Sequence, residues 1–286
     1  MNDTVGMKRM SKSMFWRGGL FSDPVRQIGA SAPLAPRTGG NENTGFLKLC
    51  AILFMLVDHI GVAFFPGVKT LRIIGRIAFP LFVWCLCVGV EYTRNIWKYA
   101  LRLLLIGVLS QPPFMLALNH QWYQLNVFAT LLMGVLGIAA IRTNKFGSCY
   151  WGPALALLIP CAVAMDYGWM GVLFIFLLYA CRKQRSSIAA LMIAYCLYWG
   201  YGTYNVEYVL GIPLPTAIRF LPNSTRLLAD IGRIQFWAIL SLPLMLWPMR
   251  SRLRLPKWAG YAAYPAHLLV IGVIRRWTQI MDFLGR

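Results

Sequence analysis

Long apolar runs, separated by short polar or basic connectors, make up most of this chain after its first 45 residues, and they restrict the available folds severely. Inside hydrocarbon no water is present to satisfy a backbone N–H or C=O, so a crossing segment must close its own hydrogen bonds, as an α-helix does. About 20 residues at about 1.5 Å each span the apolar layer. The pattern predicts an all-α fold, a polytopic transmembrane helical bundle of about nine spans (eight to ten). The windows are Phe46–Pro66, Ile73–Glu91, Tyr99–Leu118, Gln124–Ile141, Tyr150–Asp166, Gly168–Cys181, Ser187–Tyr204, Ile231–Met249 and Trp258–Arg275. The fifth and sixth are short, and Asp166, Tyr167 and Gly168 form a tight turn between them, so the pair reads as two short spans or as one thin helical hairpin.

Composition agrees: 58% of residues are apolar and 13% charged, outside the range of an ordinary soluble domain. The 28 Lys and Arg against 9 Asp and Glu give a net charge of +19. In a membrane protein such an excess reads first as topology, with cations held on the cytoplasmic side against anionic lipids. No aromatic-basic module accompanies the charge, so nucleic acid is not an expected partner. Residues 1–45 read as a flexible basic cytoplasmic tail and residues 46–286 as the membrane domain. With that tail inside, the cytoplasmic connectors hold Arg94, Lys98, Arg142, Lys145, Arg182, Lys183, Arg185, Arg250, Arg252, Arg254 and Lys257. The opposite connectors hold only Lys69, Arg72, Arg219 and Arg226. Asn205–Asp230 is expected to be an outer loop broken by prolines, re-entrant in part. The seven cysteines lie in or beside apolar runs without metal-ligand spacing, so they read as small hydrophobes and no metal is expected.

Within this apolar frame a few polar residues stand out. Asp58 and His59 are adjacent in the first span, where an acid costs roughly 2.5–3.5 kcal/mol at the centre of a helix. Neighbours on a helix diverge by about 100°, so the two do not form a dyad. A short connector makes the first two helices antiparallel, which offers Arg76 or Arg72 as partner for Asp58 and leaves His59 to move a proton. The bland alternative is an ion pair that fixes two helices beside a satisfied histidine. IGRIAF at Ile74–Phe79 is echoed by IGRIQF at Ile231–Phe236, so Arg76 and Arg233 are expected to face one cavity. Arg94, Lys98 and Arg102 step by four into a cationic stripe, which suits an anion or lipid headgroups; Lys98 reads as a headgroup anchor, whereas Arg102 lies deeper and is expected to have a buried partner. Ser110, Gln111, Pro112 and Pro113 are expected to interrupt the third helix beside a cavity. Near the end of the chain, Pro265 marks a kink, and Tyr264 and His267, three apart, share a face. His120 is expected to be solvated. No Gly-rich phosphate loop, HExxH or nucleophile elbow occurs, which disfavours a covalent serine or metal mechanism.

LVDHIG in the first span, IGRIAFPLF, EYTRNIWKYALRLLLIGVLSQPPF and YAAYPAHLL, in this order and spacing, resemble the TraX family of membrane proteins. The specific matches fall between Lys48 and Phe114 and in the last helix; the middle agrees in hydropathy. The resemblance implies a multi-pass protein of the bacterial inner membrane that N-acetylates the amine of processed conjugative pilin with acetyl-CoA as donor. It carries the family's DH onto Asp58 and His59, GR onto Gly75 and Arg76, TRN onto Thr93, Arg94 and Asn95, SQPPF onto Ser110 to Phe114, and YPxHL onto Tyr264, Pro265, His267 and Leu268.

The resulting expectation is a membrane acyltransferase. His59 is the base, Asp58 and Arg76 stand beside it, and His267 is an alternative base. Arg94, Asn95 and Arg102 would hold the cofactor's phosphates, while Ser110, Gln111, Arg76 and Tyr264 would face substrate or oxyanion. Pilin or prepilin in the membrane and anionic lipids are the expected partners. Pilin cyclisation, O-acetylation of an envelope glycan, and a non-enzymatic transporter or assembly scaffold are the competing readings.

Overall fold

The computed structural model describes residues 37–200, 208–209, 212–213, 234–248 and 257–284. Among these, α1 is Thr44–Phe64, α2 Lys69–Gly75, α3 Ala78–Tyr92, α4 Ile96–Leu118, α5 Val127–Thr143, α6 Ser148–Ala162, α7 Gly168–Cys181 and α8 Arg185–Gly200. A 3-10 helix, Ile234–Ser241, leads into α9, Leu242–Leu246, and α10 covers Lys257–Leu284. The only paired strands among the described residues form a short antiparallel hairpin, Tyr208–Val209 (β1) against Ile212–Pro213 (β2). The helical architecture expected from the sequence is present.

Asparagines set many of the helix ends. The side-chain oxygens of Asn43, Asn95 and Asn126 accept from the backbone N–H of Phe46, Lys98 and Phe128 at 3.3, 3.0 and 3.0 Å, capping α1, α4 and α5. Asn119 and Asn144 stop α4 and α5 in the left-handed region, at φ 58° and 42°, a conformation Asn tolerates better than most side chains.

Among the described residues, three segments are long and apolar enough to cross a membrane: Thr44–Phe64, Lys69–Tyr92 and Ile96–Leu118. Val127–Thr143, Gly168–Cys181 and Ile234–Leu246 are apolar but shorter. The sequence windows thus become helices of unequal length, with the fifth and sixth short as expected. With 15 and 14 residues, α6 and α7 reach about 21–23 Å against an apolar layer about 30 Å thick. The window Ile231–Met249 is, over its described part, a 3-10 helix and a five-residue helix.

Lys69–Tyr92 is the centre of the bundle, with Leu81 and Trp84 fully buried. Its joint lies at Arg76 and Ile77, because Pro80 has no N–H to offer the Arg76 carbonyl. The Arg76 N–H is itself shared between the Arg72 and Ile73 carbonyls, each at 3.1 Å. Around this core α4 and α10 show apolar outer faces, including Leu105, Val108, Leu109, Val270, Val273 and Trp277, as helices against lipid do. α10 runs in the same direction as α1 and α4: Gly260 lies by Lys48, His267 meets His59, and Gly272 packs on Leu116.

Several expectations are corrected. Pro112 and Pro113 do not break α4, which is continuous through them; proline's fixed φ is helical, and only two N–H groups are lost. Residues 37–43, assigned by composition to the tail, lie on the bundle. Gly39 N–H donates to the Arg182 carbonyl (2.8 Å), Asn41 N–H to the Met245 carbonyl (2.6 Å) and Trp84 Nε1–H to the Asn41 carbonyl (2.7 Å). Glycine is needed there, since a Cβ on Gly40 would run into the Trp84 ring and one on Gly39 into the Lys183 carbonyl. Residues 1–36 of the expected tail, most of the expected outer loop with Arg219 and Arg226, Arg233, and the cations Arg250, Arg252 and Arg254 lie outside the described residues.

Candidate active site

α1 and α2 approach closely because two glycines line their contact. A Cβ on Gly61 would stand 2.8 Å from Leu71 Cβ, and one on Gly75 would collide with the Asp58 side chain. This brings two arginines of the second segment onto the Asp58 carboxylate. Arg76 Nη2 donates to Oδ1 at 3.1 Å and to Oδ2 at 2.9 Å, and Arg72 Nη1 donates to Oδ2 at 3.1 Å. Two guanidinium groups therefore share one acid.

His59, one residue on, faces another way and meets α10. Its Nδ1 lies 2.6 Å from His267 Nε2, and the rings are nearly parallel, with centroids 4.9 Å apart. His267 Nδ1 in turn lies 2.7 Å from the Ala263 carbonyl. A carbonyl oxygen only accepts, so His267 Nδ1 carries a proton. In the neutral ring its Nε2 is then the lone pair, and the proton in the shared bond belongs to His59 Nδ1. A neutral His59 consequently keeps its basic lone pair on Nε2, fixed in tautomer by the bond its other nitrogen makes. The sequence offered His59 and His267 as separate candidates; the fold makes them one unit.

Tyr264, one turn before His267, stands edge-on to both imidazoles, at 6.1 Å from His59 and 5.5 Å from His267, and is braced by Phe128 at 5.1 Å. Its buried hydroxyl is approached by the Val127 N–H but has no acceptor for its own proton among the described residues. Arg76 Nε and Gln235 Nε2 are likewise buried without a partner there. Gln235, 4% exposed, comes from the 3-10 helix and accepts from Arg76 Nη1 through Oε1 at 3.4 Å. It was not singled out from the sequence. Asp166, in the turn before α7, is tied by its backbone N–H to the Leu125 carbonyl (3.0 Å). Solvent reaches it, yet protein crowds it, and this desolvation raises its carboxyl above the usual range against the pull of Arg76.

Other expected site residues have different work. Ser110 is fully buried and donates to the Ile106 carbonyl at 2.6 Å. Gln111 donates to the Gln124 carbonyl (2.7 Å) and accepts from the N–H and side chain of Asn126 (3.1 and 2.9 Å), so both its ends tie α4 to the start of α5. Both side chains are thus engaged within the protein rather than turned to an oxyanion. Asn95 is the cap of α4, not a member of a separate cluster. Arg94, Lys98 and Arg102 are all exposed, with Arg102 beside the Tyr261 hydroxyl, so the deep partner expected for Arg102 is replaced by an outward-facing stripe. His120 is not simply solvated: it stacks on Phe114 at 4.6 Å and bonds Gln124 Oε1 at 2.9 Å.

The molecule is thus a helical bundle with membrane-length apolar helices enclosing a hydrogen-bonded histidine pair beside an Arg–Asp–Arg cluster. The family model described as TraX protein matches residues 43–275, and the chain belongs to the TraX family. It is 27% identical over 147 residues to the uncharacterized protein RP591 of Rickettsia prowazekii (strain Madrid E), covering 50% of this chain and 57% of that protein. It is 30% identical over 164 residues to the probable fimbrial assembly protein FimC, serogroup H1, of Dichelobacter nodosus, covering 52% of this chain and 67% of that one. The chain therefore aligns with little more than half the length of the first relative and two thirds of the second. No solved structure matches.

Proposed function

We propose that this protein is a membrane-embedded acyltransferase of the bacterial inner membrane, with its N-terminus in the cytoplasm, that N-acetylates the N-terminal amine of processed pilin from acetyl-CoA. The observation that carries the reading is the chain from the Ala263 carbonyl through His267 to His59, which leaves one imidazole nitrogen, His59 Nε2, as a base of fixed orientation. Membership of the TraX family and likeness to a fimbrial assembly protein support a role in pilus biogenesis.

In this mechanism the amine nitrogen attacks the thioester carbonyl carbon while His59 Nε2 takes its proton. An α-amine has an ordinary pKa of about 7.7–8.0 and an imidazole about 6.5, a gap small enough for general-base catalysis near neutrality. The N–C bond forms as the carbonyl electrons move to oxygen; the intermediate then collapses, the C–S bond breaks, and the thiolate recovers the proton from His59. The Tyr264 hydroxyl and the Arg76 guanidinium stand as donors for the developing oxyanion. Arg94, Lys98 and Arg102, exposed and stepped along one face, suit the phosphates of the donor. His59 lies 15 residues into α1, roughly 22 Å along the axis, so the donor's thioester end must reach well into the bundle.

Intact-mass spectrometry of pilin co-produced with and without the full chain tests the proposal. The expected result is a gain of one acetyl group on the N-terminal residue. A loss of water would indicate cyclisation, and an unchanged mass would remove pilin acetylation from consideration.

A further inference from the structure

Gln235 is almost completely buried, yet half of its amide is idle. A guanidinium only donates, so the amide atom facing Arg76 Nη1 is the oxygen, and this settles the orientation of the group. Nε2, with two hydrogens, is thereby turned away from Arg76 and has no partner among the described residues. Arg76 Nε is idle in the same way, while its Nη2 is spent on Asp58. A buried donor left unmade is costly, and native structures keep such groups where something else binds. An idle amide donor whose own oxygen is held by a guanidinium, itself clamped by a carboxylate, has the properties of a preorganised donor to an oxygen atom.

We propose that Gln235 is a catalytic residue of the acyl-transfer site, donating through Nε2 to the acyl carbonyl oxygen as it becomes an oxyanion. The assignment rests on the acyl-transfer reading. Arg76 fixes the Gln235 oxygen with Nη1 and so sets the direction of the amide. Asp58 then serves the reaction indirectly by holding Arg76. The ligand class is a thioester or another activated acyl group whose carbonyl gains negative charge.

Gln235→Glu separates this role from a packing role. Glutamate keeps the length of the side chain and an oxygen towards Arg76, so support for the arginine survives, while both donated hydrogens are lost. In the full-length protein, with acetyl-CoA and processed pilin as substrates, kcat is expected to fall about 10²–10³-fold with KM little changed. The thermal midpoint of the variant should match the parent. A kcat within threefold of the parent, or a change confined to KM, overturns the assignment. If Gln235→Glu does not fold, Gln235→Asn provides the readout: it retains the amide but withdraws it by one methylene, so an unaltered kcat again overturns the role. Failure of the underlying reading is distinguishable, because the parent protein would then acetylate nothing, and the Gln235 assignment would fall with it.

Discussion

Asp58 and Glu91 are both buried acids held by arginine, but their surroundings differ. Glu91, at the end of α3, accepts from Arg182 Nε at 2.8 Å, and Arg182 is wholly inaccessible, lying over the Tyr179 ring and donating to the Tyr179 carbonyl at 2.6 Å. Residues 37–43 close over this end, with Gly39 bonded to the Arg182 carbonyl and Arg37 reaching the Glu91 carbonyl. Arg182 Nη2 is unpaired among the described residues, but its guanidinium has no accessible surface through which a ligand could reach it. At the other end, Asp58 is shared by two arginines that keep 27% and 13% of their side-chain surface, next to a histidine pair and several idle donors. The first arrangement is closed and fixes helices. The second is left partly open, with hydrogen-bonding capacity that the described residues do not use.

The largest predicted effect tests the closed end. Arg182→Met leaves Glu91 buried without its cation and should cost about 3–5 kcal/mol, whereas Glu91→Gln combined with Arg182→Met should recover most of that loss. Thermal unfolding of the purified protein in detergent reads both, and equal midpoints for the single and double variants would contradict the contrast. At the open end the effect should move from stability to rate. His59→Ala should lower acetyl transfer about 10²–10⁴-fold with a much smaller shift in midpoint than Arg182→Met. His267→Gln should be milder than His267→Leu, because glutamine can still accept from His59 Nδ1 and hold the tautomer. Since only neutral His59 accepts a proton and only the neutral amine attacks, the rate should rise with pH through both groups, and the histidine's share of that rise should disappear with His59→Ala while the amine's remains.

Much of the open end was legible in the sequence, since an acid and two histidines in apolar helices have little reason to be there unless used. The Asp58–Arg76 pair followed from a short connector and equal depth. What could not be read was the neighbour of His59, because His267 is 208 residues away and no local period links them. Gln235 did leave a trace: IGRIAF and IGRIQF differ at one position, where Ala78 is replaced by Gln235, yet the matching residues drew attention to Arg233 instead. The closed end was legible only as charge. Arg182 counted as one more cytoplasmic cation, because composition cannot tell a connector cation facing water from one folded back onto a buried acid. Ser110 and Gln111 misled for a related reason: polar residues in a spanning helix can serve their own backbone or the next helix just as well as a substrate.

A smaller effect should follow from tightening the α1–α2 contact. Gly75→Ala introduces a Cβ that collides with Asp58, and the shift needed should cost about 1–3 kcal/mol. Because the displaced group is the acid that orients Arg76, activity should fall by more than the loss of folded protein explains. Specific activity per folded molecule, measured after size exclusion, separates the two; a proportional loss would make the glycine purely a packing residue.

The smallest predicted effect concerns the strap at the closed end. Trp84 is fully buried, and its Nε1–H bond to the Asn41 carbonyl is a long-range tie between the central helix and residues 37–43. Trp84→Phe removes that donor and leaves a buried carbonyl without it, a loss of about 0.5–1.5 kcal/mol for the hydrogen bond plus the cost of the smaller ring. If the strap only seals the Glu91–Arg182 pair, hydrogen exchange should rise in residues 37–43 and around Arg182 while His59 chemistry is unaffected. The acetyl donor, however, is proposed to approach from this same side, past Arg94 and Arg102. A strap that also shapes that route would instead change KM for acetyl-CoA at constant kcat, so the KM of Trp84→Phe decides whether the closed end is independent of the open one.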